Sequence, residues 1–501
     1  MANKGHFISV FLCLAVSITG VAQNDFESFE KRMNNQFDAF QQRTNNEYNS
    51  FLRRVNAEYA AMLERAWAEY RVVAKIEVPE DKLKPIPPVV FPKKDENKKL
   101  IPKALPYKDV VPVPVPKPQP QPVAPIEQTP TPVNVPKVEF SFFGTKASVR
   151  FDNSHRLRLE GVSERSIAQA WKQMSTDAYS NLVYDCLQIR QEKKLCDWGY
   201  LEMLKYMADC ICGTNTNETT LLMAYVYCQS GYKMRLARTD MGKLIMLYAS
   251  DHIIYNLGYF VVDGKKYYPY GVSSSRIYIC DITFPNEQAM SLLIPVEQLF
   301  ERAVSQPKTR QSRRYPEMRT TMTSNTNLMN FYSTYPTSMV GENMVSRWAM
   351  YANTPLSEEV KAQIYPSLRA GIQGCNQLTA VNKLLNYVQT GFVYEYDDKV
   401  WGRDRAFFAE ESLYYPYCDC EDRSILFTRL VRDLLGLNCI LIYYPGHLAS
   451  AVEFTEQGAT GDYIQLNGRK FIVADATYID APVGHTMPNM NNRTAKVIIL
   501  K

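Results

Sequence analysis

Histidine is scarce in this sequence, with 5 residues in 501. A mechanism that needs an imidazole therefore has a short list of candidates, and a His-rich metal centre is excluded. Glycine is also sparse, 22 residues against 29 prolines. No stretch approaches the ~20 consecutive apolar residues of a membrane-crossing helix, so no span is expected. Charge of one sign is missing too: 57 basic and 52 acidic residues leave a net +5. A nucleic-acid binder would carry a dominant basic face, and that class is excluded. What is present is 46% hydrophobic residues and 11 cysteines. The hydrophobic fraction rules out a wholly disordered chain and supports about two to four domains.

Residues 1–22 read as a secretory signal peptide. Lys4 supplies the positive start, Phe7–Ile18 the short apolar run, and Gly20-Val21-Ala22 the small residues of a cleavage site. Cleavage after Ala22 leaves Gln23 as the new terminus. A lipid anchor on Cys13 is disfavoured by the large Leu12 before it. The expected location is secreted, periplasmic or cell-surface, where disulfides can form.

Residues 24–75 contain an internal repeat of 11 residues starting at Phe26, Phe37, Tyr48 and Tyr59, with Phe29, Phe40, Phe51 and Met62 at the fourth position. This period, ~3.67 residues per turn, keeps one apolar stripe on one face of a long amphipathic helix. The stripe is expected to pack on the main body or a partner helix. The sharper alternative is a rod for oligomerisation or envelope docking. Residues 78–136 hold 17 of the 29 prolines and read as an extended, solvated linker. A globular α+β block is expected over 138–305, a connecting region over 306–350, and a second compact block over 351–501.

The clearest chemistry lies in the second block. Ile425, Leu426, Leu430, Val431 and Leu434 recur at helical spacing, Gly436 is a stop, and Asp419 is a candidate N-cap. Cys420 then opens the helix, where the dipole and free N–H groups favour a thiolate, although Glu421 and Asp422 oppose it. Short β-rich runs follow. His447 stands at the mouth of one after Pro445-Gly446, and Asp475 at the end of another, where a carboxylate in an apolar run needs a partner. Cys420 as nucleophile, His447 as base and Asp475 as orienting acid form a thiol triad.

The ordered segments Cys418-Asp419-Cys420, His447-Leu448-Ala449 and Asp475-Ala476-Thr477 resemble the three motifs of the transglutaminase-like superfamily of papain-type folds. Cys418 replaces the family's usual Gly, and Ala476 its usual Pro. The resemblance covers about residues 355–490. It implies an α+β core in which the Cys-bearing helix packs on an antiparallel sheet. It also implies a cysteine protease or amidase acting on a protein or peptide, with protein cross-linking by acyl transfer as the alternative. A non-catalytic envelope scaffold is the third reading. Papain-type sites often add an upstream oxyanion donor, for which Gln389 is a candidate. Trp401 and the Tyr414-Tyr415 pair are candidates for the cleft wall, with core packing the preferred role for each.

Residues 213–237 align without gaps on 418–442, placing Gly231 on Gly436, Leu221 on Leu426 and Asn215 on Cys420. With a shortened loop, His252 falls on His447, Gly264-Lys265-Lys266 on Gly468-Arg469-Lys470, and Gly271 on Asp475. The first block thus reads as a degenerate copy without thiol or carboxylate, weighed evenly against an unrelated α+β domain. Cys228 and Cys439 read as packing, and His155 as structural. His485 is the remaining alternative to His447. No cofactor or metal is expected. The pairs Cys210/Cys212 and Cys418/Cys420 are one residue too tight for zinc. Cys186 with Cys196 is a candidate disulfide.

Overall fold

The structure is a computed structural model that describes residues 50–77, 101–122 and 135–501, apart from Ser273, Glu342 and Arg403. The expected signal peptide, the repeat up to residue 49, and linker residues 78–100 and 123–134 lie outside the described residues. The protein is mixed α+β, with several antiparallel sheets. No helix among the described residues is long and apolar enough to cross a membrane.

Helix α1 spans residues 50–63. Its Val55, Tyr59, Ala60 and Leu63 are buried, and Tyr59 packs 4.9 Å from Trp171 and 5.3 Å from Phe284. Asn56 fixes the register by accepting from Trp171 Nε1 at 2.9 Å and donating to Gln229 at 3.1 Å. The last repeat therefore packs on the chain's own body. The expected helix to residue 75 is corrected: it ends at 63, and Ala68–Arg71 forms strand β1. The helix stops after Leu63, whose carbonyl accepts from Nε1 of the buried Trp67 at 3.1 Å, and β1 instead supplies an antiparallel neighbour to an open sheet edge.

The linker is also corrected over its described part. Lys103–Ala104 (β2) and Asp109–Val111 (β3) pair in parallel with the two outermost strands of the second lobe's sheet. Proline is tolerated there because it lies beside the paired residues on edge strands, where the missing N–H costs no ladder bond. Leu105, between β2 and β3, is buried on that sheet. Further on, Gln119 donates to Leu195 O at 2.8 Å and Arg190 donates to Pro120 O at 3.2 Å. These segments are docked rather than solvated.

The first lobe opens with hairpin β4 (Lys137–Phe142) and β5 (Thr145–Arg150). Helices α2 (Glu164–Met174), α3 (Asp177–Glu192), α4 (Asp197–Cys212) and α5 (Asn217–Gln229) follow. Strands β6 (Met234–Arg238), β7 (Leu244–Ala249), β8 (His252–Ile254), β9 (Phe260–Val262), β10 (Lys265–Pro269) and β11 (Arg276–Ile279) come next. All but β8 join β1 in the order β1-β11-β6-β7-β10-β9.

Residues 306–350, read from the sequence as a connection with some structure, carry regular elements. They form hairpin β12 (Lys308–Gln311) and β13 (Arg319–Met322), helix α6 (Thr326–Ser333), strand β14 (Ser338–Val340) and the start of α7 (Ser346–Asn353). The second lobe adds α8 (Glu358–Ile372), α9 (Gln377–Gly391), β15 (Val393–Tyr394), α10 (Asp397–Val400), α11 (Ala409–Tyr414), β16 (Tyr417–Cys418) and α12 (Cys420–Leu435). Its sheet is β17 (Cys439–Tyr444), β18 (His447–Glu453), β19 (Asp462–Leu466), β20 (Arg469–Val473) and β21 (Lys496–Ile499), in the order β2-β19-β20-β18-β17-β21-β3. One apolar cluster runs from Val55 through both lobes to Ile498.

The two sheets share an order: β11-β6-β7-β10-β9 after α5, and β21-β17-β18-β20-β19 after α12. Their registers also agree, since Tyr248 faces Met234 and Tyr268 as Val452 faces Cys439 and Ile472. In that register Gly271 falls on Asp475, as the sequence alignment has it. His252 does not fall on His447; Lys243 does. The turn between β6 and β7 is longer than Pro445-Gly446, and His252 lies in β8, which leaves the sheet to pair with β14.

Candidate active site

Each element of the site is set by local chemistry. Helix α12 begins at Cys420 because a capping box closes its first turn: the Asp419 side chain receives the Asp422 backbone N–H, and Asp422 Oδ2 accepts in return from the Asp419 N–H at 3.2 Å. It stops at Gly436, whose φ of 66° suits glycine. Pro445-Gly446 closes the β17–β18 hairpin with φ 80° at Gly446, which pairs Tyr444 with His447 and fixes His447 at the strand's first position. Asn467 (φ 49°) and Gly468 (φ 78°) turn β19 into β20, and Asp475 follows at the same end of the sheet as His447.

The structure brings His447 and Asp475 together. His447 Nε2 lies 2.9 Å from Asp475 Oδ2, and both side chains are almost fully buried. Asp475 Oδ1 accepts from the Thr477 and Tyr478 N–H groups at 2.9 and 3.3 Å. A carboxylate oxygen is the acceptor in this pair, so Nε2 is its donor and Nδ1 is the ring nitrogen that faces away from Asp475. That Nδ1 is buried and has no hydrogen-bond partner among the described residues. Leaving it so costs ~1–3 kcal/mol, which a fold tolerates where the atom has a task.

Cys420 lies against the same strand. The Leu448 N–H, next to His447, interacts with its thiol, and Ser424 Oγ on the next turn donates to Leu448 O at 2.7 Å. The thiol does not gain the acidity expected of a helix start. Burial pushes it well above the usual thiol range, helped by the charges of Glu421 and Asp419, and these outweigh the dipole and the Leu448 N–H. At rest the thiol donates to Glu421 Oε2 at 2.9 Å.

Gln389 does not fill the expected oxyanion role. The two hydrogens of its amide nitrogen are shared among the carbonyls of Asp475 (3.0 Å), Tyr478 (2.8 Å) and Ala481 (3.0 Å), so it holds the loop that carries Asp475. Trp401 is half-buried and packs edge-on to Tyr415 at 4.9 Å under the Arg405 guanidinium at 4.5 Å. His485 pairs through Nδ1 with Pro482 O at 3.2 Å. Among the described residues every cysteine is a free thiol, including Cys186, Cys196 and Cys418. The carboxylates of Asp397, Asp404 and Glu421 converge within 4.8 Å, but Asp404 is ion-paired to Arg347 at 3.1 Å and Asp397 accepts the Arg405 N–H at 2.7 Å.

At the corresponding place in the first lobe stand Asn215, Lys243 and Gly271, and the Lys243 ammonium donates to the Asn215 carbonyl. Those three offer no thiol, no imidazole and no carboxylate.

Sequence reasoning missed Tyr394, whose ring lies beneath Arg423 of α12 with the guanidinium 5.0 Å from its centroid. The parallel pairing of Tyr394 with Cys418 puts it there, and no local pattern announces that pairing. Comparison with family profiles, with curated proteins and with solved structures finds no match to this chain.

Proposed function

We propose that this chain is a transglutaminase-like thiol hydrolase, a cysteine protease or amidase working through Cys420, His447 and Asp475, and exported by its N-terminal segment. The observation that carries the reading is the His447 ring. One nitrogen is locked to Asp475 at 2.9 Å, while the other is buried, bare and unpartnered beside the strand residue that meets Cys420.

In the reaction, the Cys420 thiol turns from Glu421 and passes its proton to His447 Nδ1. Sγ bonds to the substrate carbonyl carbon, and the carbonyl electron pair moves onto oxygen. Collapse restores the carbonyl and expels the amine, which takes the proton from Nδ1. Water, deprotonated by the same nitrogen, then releases the acid and restores the thiol. Asp475 holds the ring's tautomer throughout and stabilises the imidazolium. The first lobe, with the same strand order but Asn215, Lys243 and Gly271 in the triad's register, is a non-catalytic copy that serves the second lobe as a scaffold.

Incubating the protein with a peptide pool, with and without a primary amine, tests the activity by mass spectrometry. Free carboxyl products that disappear in Cys420→Ala are expected. Amine-linked products would favour acyl transfer, and no Cys420-dependent product at all would favour the scaffold reading.

A further inference from the structure

We propose that Tyr394 is the side-chain oxyanion donor of this site, placing its phenol hydrogen on the oxygen that becomes negative when Cys420 attacks. The proposal rests on the triad reading above. Strand β15 ends at Tyr394, and its pairing with Cys418 sets this residue beside the two residues that lead into Cys420. The Glu395 N–H reaches Cys418 O at 3.4 Å, continuing that alignment. Arg423, on the first turn of α12, clamps the ring, and it is itself fixed by donating to Gln389 O at 3.3 Å and Phe392 O at 2.9 Å. The phenol oxygen is buried and has no hydrogen-bond partner among the described residues. A buried hydroxyl without a partner is costly, and it is retained where a partner arrives only during reaction.

The requirement at this position is also clear. Cys420 holds the first position of α12, where its N–H has no acceptor within the helix and can serve as one donor, and Gln389, the expected second donor, is committed to the Asp475 loop. Burial, with the Cys420, Asp419 and Glu421 charges nearby, raises the Tyr394 phenol far beyond its ordinary range, so it keeps its hydrogen at every working pH. In the step, the Sγ–C bond forms, the C=O π pair becomes an oxyanion held by the Cys420 N–H and the Tyr394 O–H, and the thiol proton rests on His447 Nδ1. Collapse returns the pair to the carbonyl, and the phenol keeps its own proton.

The experiment compares two reactions of Cys420 in the full chain, wild type and Tyr394→Phe, by mass spectrometry of the labelled peptide. Acylation by p-nitrophenyl acetate passes through an oxyanion, whereas alkylation by iodoacetamide is a direct displacement and does not. Phenylalanine keeps the ring and its contact with Arg423 and removes only an unpartnered oxygen, so the melting temperature is expected to hold or rise. Acylation is expected to fall by about 10²-fold, the usual effect of removing one such donor, with alkylation unchanged. Unchanged acylation overturns the proposal. A parallel fall of both reactions overturns it too, because Tyr394 would then act by shaping the thiol. If wild-type Cys420 forms no acyl adduct, the triad reading fails, and this proposal with it.

Discussion

Replacing Gln389 by leucine tests how Asp475 is held. Leucine has a similar volume, so the perturbation is the loss of one amide rather than a cavity. Three carbonyls receive that amide. Tyr478 O retains a second donor, the Ala481 N–H at 3.1 Å, whereas no other donor to Asp475 O or Ala481 O is evident. Two buried acceptors are therefore orphaned, each at ~1–3 kcal/mol, and with partial relaxation we expect a stability loss of about 3 kcal/mol. The loop carrying Asp475 is expected to shift as it seeks new donors, and a displacement of about 1 Å at His447 costs about 10²-fold in rate. Urea denaturation gives the first number and Cys420 acylation the second. A loss below about 0.5 kcal/mol with unchanged acylation would refute the assignment of Gln389 as the brace of Asp475, since that is the range of an ordinary surface substitution.

Further outcomes follow from the buried carboxylates and from the docked linker. Glu421→Gln removes the charge that opposes the Cys420 thiolate, so the midpoint of the alkylation pH profile should move to lower pH; an unmoved midpoint would contradict the role given to Glu421. Burial raises Glu410 from the usual 4.5 to about 7, despite its bonds from Ser357 at 2.8 and 3.0 Å. A raised folded-state value means that this stability is fully present below pH 4.5 and is lost as pH rises through about 7. Glu410→Gln should therefore match wild type at pH ~4.5 and exceed it by up to ~3 kcal/mol at pH ~8, as thermal melts at the two pH values will check. Gly231 has φ 91°, and a Cβ there would meet Gln121 O at 2.0 Å. Gly231→Ala should release the linker near Gln121 and speed its proteolysis; unchanged cleavage there would contradict the docking.

Much of the site was legible because its signals are local. Asp419 before Cys420, Gly436 after the apolar spacing, Pro445-Gly446 and Asn467-Gly468 each mark a helix end or a tight turn, and the observed α12, β17–β18 and β19–β20 boundaries follow them. The parts that were not legible depend on distant pairings. The Ala68–Arg71 strand looks helical by repeat and becomes a strand because β11 offers an open edge. The proline-rich residues 103–104 and 109–111 join a sheet whose strands lie more than 300 residues away in sequence. Gln389 was placed by its position before the cysteine, but its amide finds the Asp475 loop, and Tyr394 is recruited through a two-residue parallel ladder. His252 was matched by residue type, whereas strand register selects Lys243.

The central claim is that His447, held by Asp475, activates Cys420. Intact-protein and peptide mass spectrometry after exposure to an activated acyl ester at neutral pH tests it most directly, using wild type and His447→Ala. The account predicts a single acyl group on Cys420 in the wild type, with Cys439, which is equally buried but has no such base beside it, unmodified, and a fall of about 10²-fold or more in the variant. Acylation of Cys420 at an equal rate in both proteins, or no preference for Cys420 over Cys439, would contradict it.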